Sequence, residues 1–225
     1  MLEQVSQRFQ GSCMMVMERR GGEVSFLGSA FLVHPDGYVL TAARNVMQGE
    51  ELLVVPPDPS ELFVPVTREE VAPVPVELVA SDPARDVALL KLKPELEINM
   101  PEEVLGTGSA DPRGATLMSL GVPFGYYRIH GVVAAQSVLG GRIQSKAGTN
   151  LIVFDRRVQY GDVGGPLVSV TQGKVVGIVG GVFDPLELEE REAPEGGVAI
   201  NTDLSYATSI EYGAALLERA TAATE

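Results

Sequence analysis

Apolar residues fall in short blocks along this chain, each four to ten residues long and closed by glycine, proline or charge. Residues 13–17 and 24–33 are apolar runs separated by Arg19-Arg20-Gly21-Gly22, a strand, turn and strand pattern. The turn signal His34-Pro35-Asp36-Gly37 follows, and 38–43 continues as another strand. Further strand candidates lie at 51–55, 63–66, 76–79 and 87–92, with prolines at or near the edges of the first three. After a stretch rich in Pro, Glu and Gly the pattern resumes at 115–120, 131–138, 151–154, 166–170, 175–179 and 204–209. Such regular spacing suits barrels better than a helical bundle. Only 211–223, with Ala and Leu at helical spacing, reads as a helix, expected to pack on the second half.

The pattern predicts an all-β fold of two lobes: about 12–93, a linker at about 94–112, a second lobe at about 113–209 and a terminal helix from about 210 to 225. With 45% hydrophobic and 21% charged residues, the 225-residue chain can bury a sizeable core. Seventeen Lys and Arg against 30 Asp and Glu give a net charge of −13, which argues against nucleic acid as a partner. No apolar stretch approaches the roughly 20 residues of a membrane span. Nor does the N-terminus have the basic start and apolar centre of a secretory signal, so the expectation is a soluble, cytoplasmic protein. Cys13 stands alone, which excludes an internal disulfide. Two separated histidines and one cysteine make no zinc site, and Gly106-Thr107-Gly108 and Gly140-Gly141 lack the context of a phosphate loop; no cofactor is expected. The acidic run DPLELEEREAPE at 184–195 reads as a solvated surface loop.

Three segments carry chemistry. GSAFLV at 28–33 with DGYVLTAA at 36–43, DVALLK at 86–91, and GDVGGPLV at 161–168 resemble, in this order, the histidine, aspartate and serine motifs of trypsin-like serine proteases, especially the bacterial HtrA (Deg) group. LGVPFG at 120–125, GKVVGI at 173–178 and YATSI at 206–210 extend the likeness over nearly the whole chain. The resemblance implies two antiparallel β-barrels with a C-terminal helix, without the PDZ domain that many of that group carry. It also implies substrates bound as an added strand, and a specificity pocket near the strand holding Gly177, Gly180 and Gly181.

On those motifs the position matching the histidine is Arg44, and that matching the serine is Val163; Asp86 alone is of the family type. A guanidinium stays protonated and offers only donors, so it is no general base, and valine has no nucleophilic atom. His34 lies a full strand from Arg44, roughly 20 Å at about 3.3 Å per residue. His130 and Cys13 are read as structural. Arg44 is expected to pair with Asp86, which would otherwise be left partly buried without a partner. The oxyanion hole needs only backbone N–H groups, here those of Gly161 and Val163, so a remnant able to hold a carbonyl or carboxylate is physically possible. The sequence therefore reads as a trypsin-like pseudoprotease that binds a peptide or protein partner. The alternatives are an endopeptidase disabled by engineering at Arg44 and Val163, and an assembly protein presenting its acidic loop to a basic partner.

Overall fold

A computed structural model describes residues 1–47, 51–57, 63, 71–94, 98–101, 103–188 and 202–223. Twelve strands form two closed antiparallel barrels. The first contains β1 (Cys13–Arg20), β2 (Glu23–His34), β3 (Tyr38–Thr41), β4 (Glu51–Val55), β5 (Val74–Asp82) and β6 (Val87–Leu92), joined in the order β1-β2-β3-β6-β5-β4. The second contains β7 (Thr116–Gly121), β8 (Val133–Gln144), β9 (Asn150–Phe154), β10 (Pro166–Ser169), β11 (Lys174–Val182) and β12 (Ser205–Ser209), in the order β10-β11-β12-β9-β8-β7. Both the all-β class and the double barrel agree with the sequence reading. The strand expected at 63–66 lies outside the described residues beyond Phe63, which is exposed.

Alternation along the strands fills each barrel. Val16, Ala30, Val39, Val54 and Leu90 form the first interior, and Leu117, Leu139, Ile152, Phe154 and Val176 the second. The opposite faces of some of the same strands build a third cluster between the barrels. There Phe31, Leu40 and Leu89 of the first barrel meet Met118, Leu120, Val168 and Ile178 of the second. Neighbours in sequence thus serve different cores, as the period of two requires.

Two helices close this seam. Helix α1 (Leu2–Gln10), absent from the sequence reading, places Val5 and Phe9 in the interbarrel cluster. The three- and four-residue spacing of Leu2, Val5 and Phe9 is the signal that could have revealed it. A single turn, α2 (Pro185–Leu188), follows β11; the rest of the acidic run, 189–195, lies outside the described residues. Helix α3 (Glu211–Ala222) forms as expected, but its position corrects the sequence reading: it packs mainly against β5 and β6 of the first barrel. Gly213 permits this crossing, because a Cβ there would stand 2.7 Å from Leu40 Cδ1.

At the start of α3, Glu211 ties down the interbarrel connection. Its Oε1 accepts hydrogen bonds from Thr107 Oγ1 at 2.7 Å and Gly108 N–H at 2.9 Å, and its Oε2 accepts one from Ser209 Oγ. Gln172 of the second barrel holds the same connection, accepting from Thr107 N–H and donating to Thr107 O and to Asp111. Burial raises the pKa of Glu211, but the hydrogen bonds from Ser209, Thr107 and Gly108 outweigh it and hold the carboxyl below its ordinary 4.5. A depressed folded pKa gives stability that is present above the ordinary value and lost as the pH falls through the folded one. Glu211→Ala should therefore cost about 1–2 kcal/mol at pH 7, discounted for the exposure of the side chain. The difference in melting temperature from wild type should shrink on acidification below pH 4.5; thermal melts at pH 7 and in mild acid check this.

Candidate active site

Arg44 sits in the 3₁₀ turn Ala43–Asn45 that follows β3, and Asp86 ends the β5–β6 turn. Asp86 has φ 55°, a left-handed conformation that Asp adopts more readily than most residues. Its carboxylate is thereby presented to Arg44, whose backbone N–H donates to Oδ1 at 2.9 Å and whose Nε donates to Oδ2 at 2.7 Å. Nη2 is also 2.7 Å from Oδ2 and donates to the Tyr206 hydroxyl at 3.1 Å. The expected Arg44–Asp86 pair is present, and Tyr206 extends it to the second barrel. Burial pulls the guanidinium pKa down, but Asp86 and Tyr206 outweigh it and the net shift is upward. Arg44 therefore stays charged throughout any ordinary pH range and cannot take up a proton.

Tyr206, on β12, is a member of the site that the sequence reading placed only as part of a strand. Its ring lies over Gly180 of β11, where a Cβ would come within 2.3 Å of Cε2. Gly180 thus gives the ring a path to Arg44, and the ring fills the space beside the strand to which the resemblance assigns a specificity pocket.

The loop carrying Val163 is anchored from the first barrel. Ser29 N–H and Asn45 Nδ2 both donate to Val163 O, at 2.9 and 3.0 Å, while Ser29 Oγ donates to Gly161 O at 2.7 Å and accepts from Val122 N–H. Asn45 also bonds Thr41 Oγ1. The sequence reading missed Asn45, although its place directly after Arg44 on the motif marks it. Val163 is 7% exposed and bears no atom able to attack a carbonyl. Of the two expected backbone donors, Gly161 and Val163, the second is not open. Residues Tyr160–Asp162 form a 3₁₀ turn, and Val163 N–H donates into it, to Tyr160 O at 3.3 Å. Asp162, 1% exposed, accepts from Gln159 N–H at 2.9 Å and pairs with Arg156 at 3.4 Å. Burial raises its pKa against the pull of Gln159 N–H and Arg156.

His34 ends β2, its Nδ1 accepting from Asp36 N–H at 3.2 Å. His130 precedes β8, and neither histidine lines the cleft beside Arg44. Cys13 is fully buried in β1, and burial, then the charge of Asp162, pushes its thiol pKa well up, away from nucleophilic character. That cleft, of about 490 Å³, lies between the barrels and is walled by Arg44, the turn ending at Asp86, the β8–β9 turn, and Tyr206 and Thr208.

Two barrels with an interbarrel site reached by the β3–β4, β5–β6 and β9–β10 connections are the architecture of the chymotrypsin-type peptidases. The family model for the trypsin-like peptidase domain matches residues 28–178, and the chain belongs to that family. Its relatives are of the HtrA group. It is 32% identical over 78% of its length to the "Probable periplasmic serine endoprotease DegP-like" of Ectopseudomonas mendocina, and 33% identical over 73% to the protein of that name from Pseudomonas putida. It spans about a third of those relatives' length, 34% and 31%. Among solved structures, the serine endoprotease from Yersinia pestis superposes with a TM-score of 0.68 at 18% identity, covering 98% of this chain and 66% of that one. The HtrA-type protease AlgW with tripeptide gives 0.70 at 20%, covering 97% and 62%. At those identities the likeness is one of fold. The expected cytoplasmic location is corrected by the relatives, which are named as periplasmic proteins.

Removing one end of the Arg44–Asp86 pair strands the other. Arg44→Ala leaves Asp86, whose side chain is 20% exposed, without its cation, and should cost about 1–2 kcal/mol in urea unfolding. The double variant with Asp86→Ala should fall short of the sum of the two singles by about 1 kcal/mol. Strict additivity would mean the pair contributes nothing.

Proposed function

We propose that this domain is a pseudoprotease: a trypsin-like domain that does not hydrolyse peptides and acts by binding a peptide or protein segment in the interbarrel cleft. The observation that carries the reading is the Arg44–Asp86–Tyr206 contact, which puts a permanently charged donor where the family motif has a general base. Acyl transfer requires a nucleophile and a group that accepts its proton. Arg44 accepts no proton, Val163 has none to give, and the Val163 N–H is engaged with Tyr160.

Binding survives these losses, because recognition of a segment draws on a shaped cleft and not on proton transfer. The names of the relatives point to the periplasm as the compartment in which this domain works. A reading as an endopeptidase disabled by engineering gains nothing from the site: the Arg44 side chain makes three contacts with Asp86 and Tyr206, a fit that a disabling substitution has no reason to produce. A role for the acidic run rests mostly on residues outside those described.

Turnover of an unfolded protein such as reduced casein by this chain should be undetectable. The double variant Arg44→His, Val163→Ser, measured beside it, should recover slow cleavage if the 3₁₀ turn at Tyr160–Asp162 can open. Cleavage by the unaltered chain would reject the reading.

A further inference from the structure

Five Phe and Tyr side chains stand exposed among the described residues, and four of them, Phe124, Tyr126, Tyr127 and Tyr160, belong to two neighbouring turns. The 3₁₀ turn Gly125–Tyr127 follows β7, the 3₁₀ turn Tyr160–Asp162 precedes β10, and both pack on β2. The two also touch each other. Gly161 lies so close to the carbonyls of Val122 and Pro123 that a Cβ there would collide with both. Tyr160 and Phe124 thus flank one contact, and the four rings share one face. None of them lines the cleft beside Arg44.

This face is rigid before any partner arrives. Gly125 N–H donates to Val122 O at 3.1 Å, Tyr127 N–H to Phe124 O at 2.9 Å and Arg128 N–H to Gly125 O at 2.9 Å. Tyr126 stands edge-on to Phe26 at 4.9 Å and donates its hydroxyl to Leu27 O at 2.8 Å, which fastens the turn to β2. Packing accounts for Tyr126 in this way, but not for Tyr127 and Tyr160. Those two are 77% and 86% exposed, and among the described residues their side chains have neither a hydrogen bond nor a ring partner. Four such rings present on the order of 500 Å² of largely apolar surface, at the upper end for a monomer and of the size that often marks a binding surface. Aromatic side chains on a fixed backbone lose little freedom when they are covered.

Charge selects the occupant. From Gly114 to Gly141 the chain has no Asp or Glu and one Lys or Arg, Arg128, so all 30 carboxylates lie outside this stretch. The rings form a nearly uncharged island on a chain of net charge −13. An anionic bilayer is an extended plane that would bring the surrounding acidic surface within a Debye length of like charge, and a second copy carries the same −13. A polypeptide segment is narrow enough to cover the rings alone. Cationic residues on either side of its apolar core are drawn to the negative field around the island and to the faces of the tyrosine rings. We propose that the face formed by Phe124, Tyr126, Tyr127 and Tyr160 docks a polypeptide segment whose apolar core is flanked by Lys or Arg. This surface is separate from the cleft, and its occupancy does not depend on what the cleft binds.

Three fluorescein-labelled octapeptides, capped at both ends, provide the test by fluorescence polarisation with the intact chain. One has a Leu-Phe-Leu-Phe core between pairs of Lys, the second has the same core between pairs of Glu, and the third has a Gln-Ser-Gln-Ser core between pairs of Lys. The first should bind about tenfold more tightly than either of the others. Added salt should erode its advantage over the Glu peptide but not its advantage over the polar core. The double variant Tyr127→Ser, Tyr160→Ser should bind the first peptide about tenfold more weakly with an unchanged melting temperature, because both side chains are exposed and make no bond. Equal affinity of wild type and double variant for that peptide would overturn the inference and assign binding to another surface, the cleft included. Equal binding of apolar and polar cores would reduce the contact to unspecific charge attraction and overturn it, as would failure of the first peptide to bind. Self-association in sedimentation, or flotation with phosphatidylethanolamine and phosphatidylglycerol vesicles, that the double variant abolishes would overturn it in favour of a second copy or a bilayer.

Discussion

Closed barrels have no free edges, so two of them meet mainly through side chains. The join here is the apolar cluster of Phe31, Leu40, Leu89, Met118, Leu120, Val168 and Ile178, with Val5 and Phe9 of α1 packed onto it. Every other feature of the site depends on that contact. The aspartate turn belongs to the first barrel and the valine loop to the second, and the buried apolar cluster between the barrels holds them facing one another. Polar contacts cross the seam as well, among them Ser29 and Asn45 to the Val163 loop, Tyr126 to Leu27, Thr149 and Thr208 to the Pro83–Asp86 turn, and Arg44 to Tyr206.

Against that background Arg44 solves a problem of burial as much as it removes chemistry. A carboxylate placed at a seam loses water, and it needs a donor set of matching shape. A guanidinium offers a planar fork with donors to spare for Tyr206, and Gly180 leaves room for the tyrosine ring to arrive.

Much of this was legible in the sequence. The strand pattern gave both barrels, because alternating burial leaves a period that survives without coordinates. The triad positions Arg44, Asp86 and Val163 were visible as motif positions, and the Arg44–Asp86 pair followed from the cost of leaving Asp86 alone. The helix at 211–223 was visible as well, but not the barrel it covers. Its apolar stripe says that it packs, whereas the partner face is set by where β12 ends and by the close approach that Gly213 allows. Tyr206 and Asn45 were hidden for a related reason: each acts on a residue far away in the chain, and nothing in a local pattern records such a meeting.

The sequence by itself determined the class of fold, the order of the site segments and the absence of a base and a nucleophile at the matching positions, since these are properties of residue type and spacing. Only the tertiary structure decided that Val163 N–H turns into the Tyr160–Asp162 turn and that Tyr206 completes the Arg44 contact. Those outcomes are long-range. They come from two barrels being pressed together by an apolar seam, which brings backbone groups and charges within reach of one another across more than a hundred residues of chain.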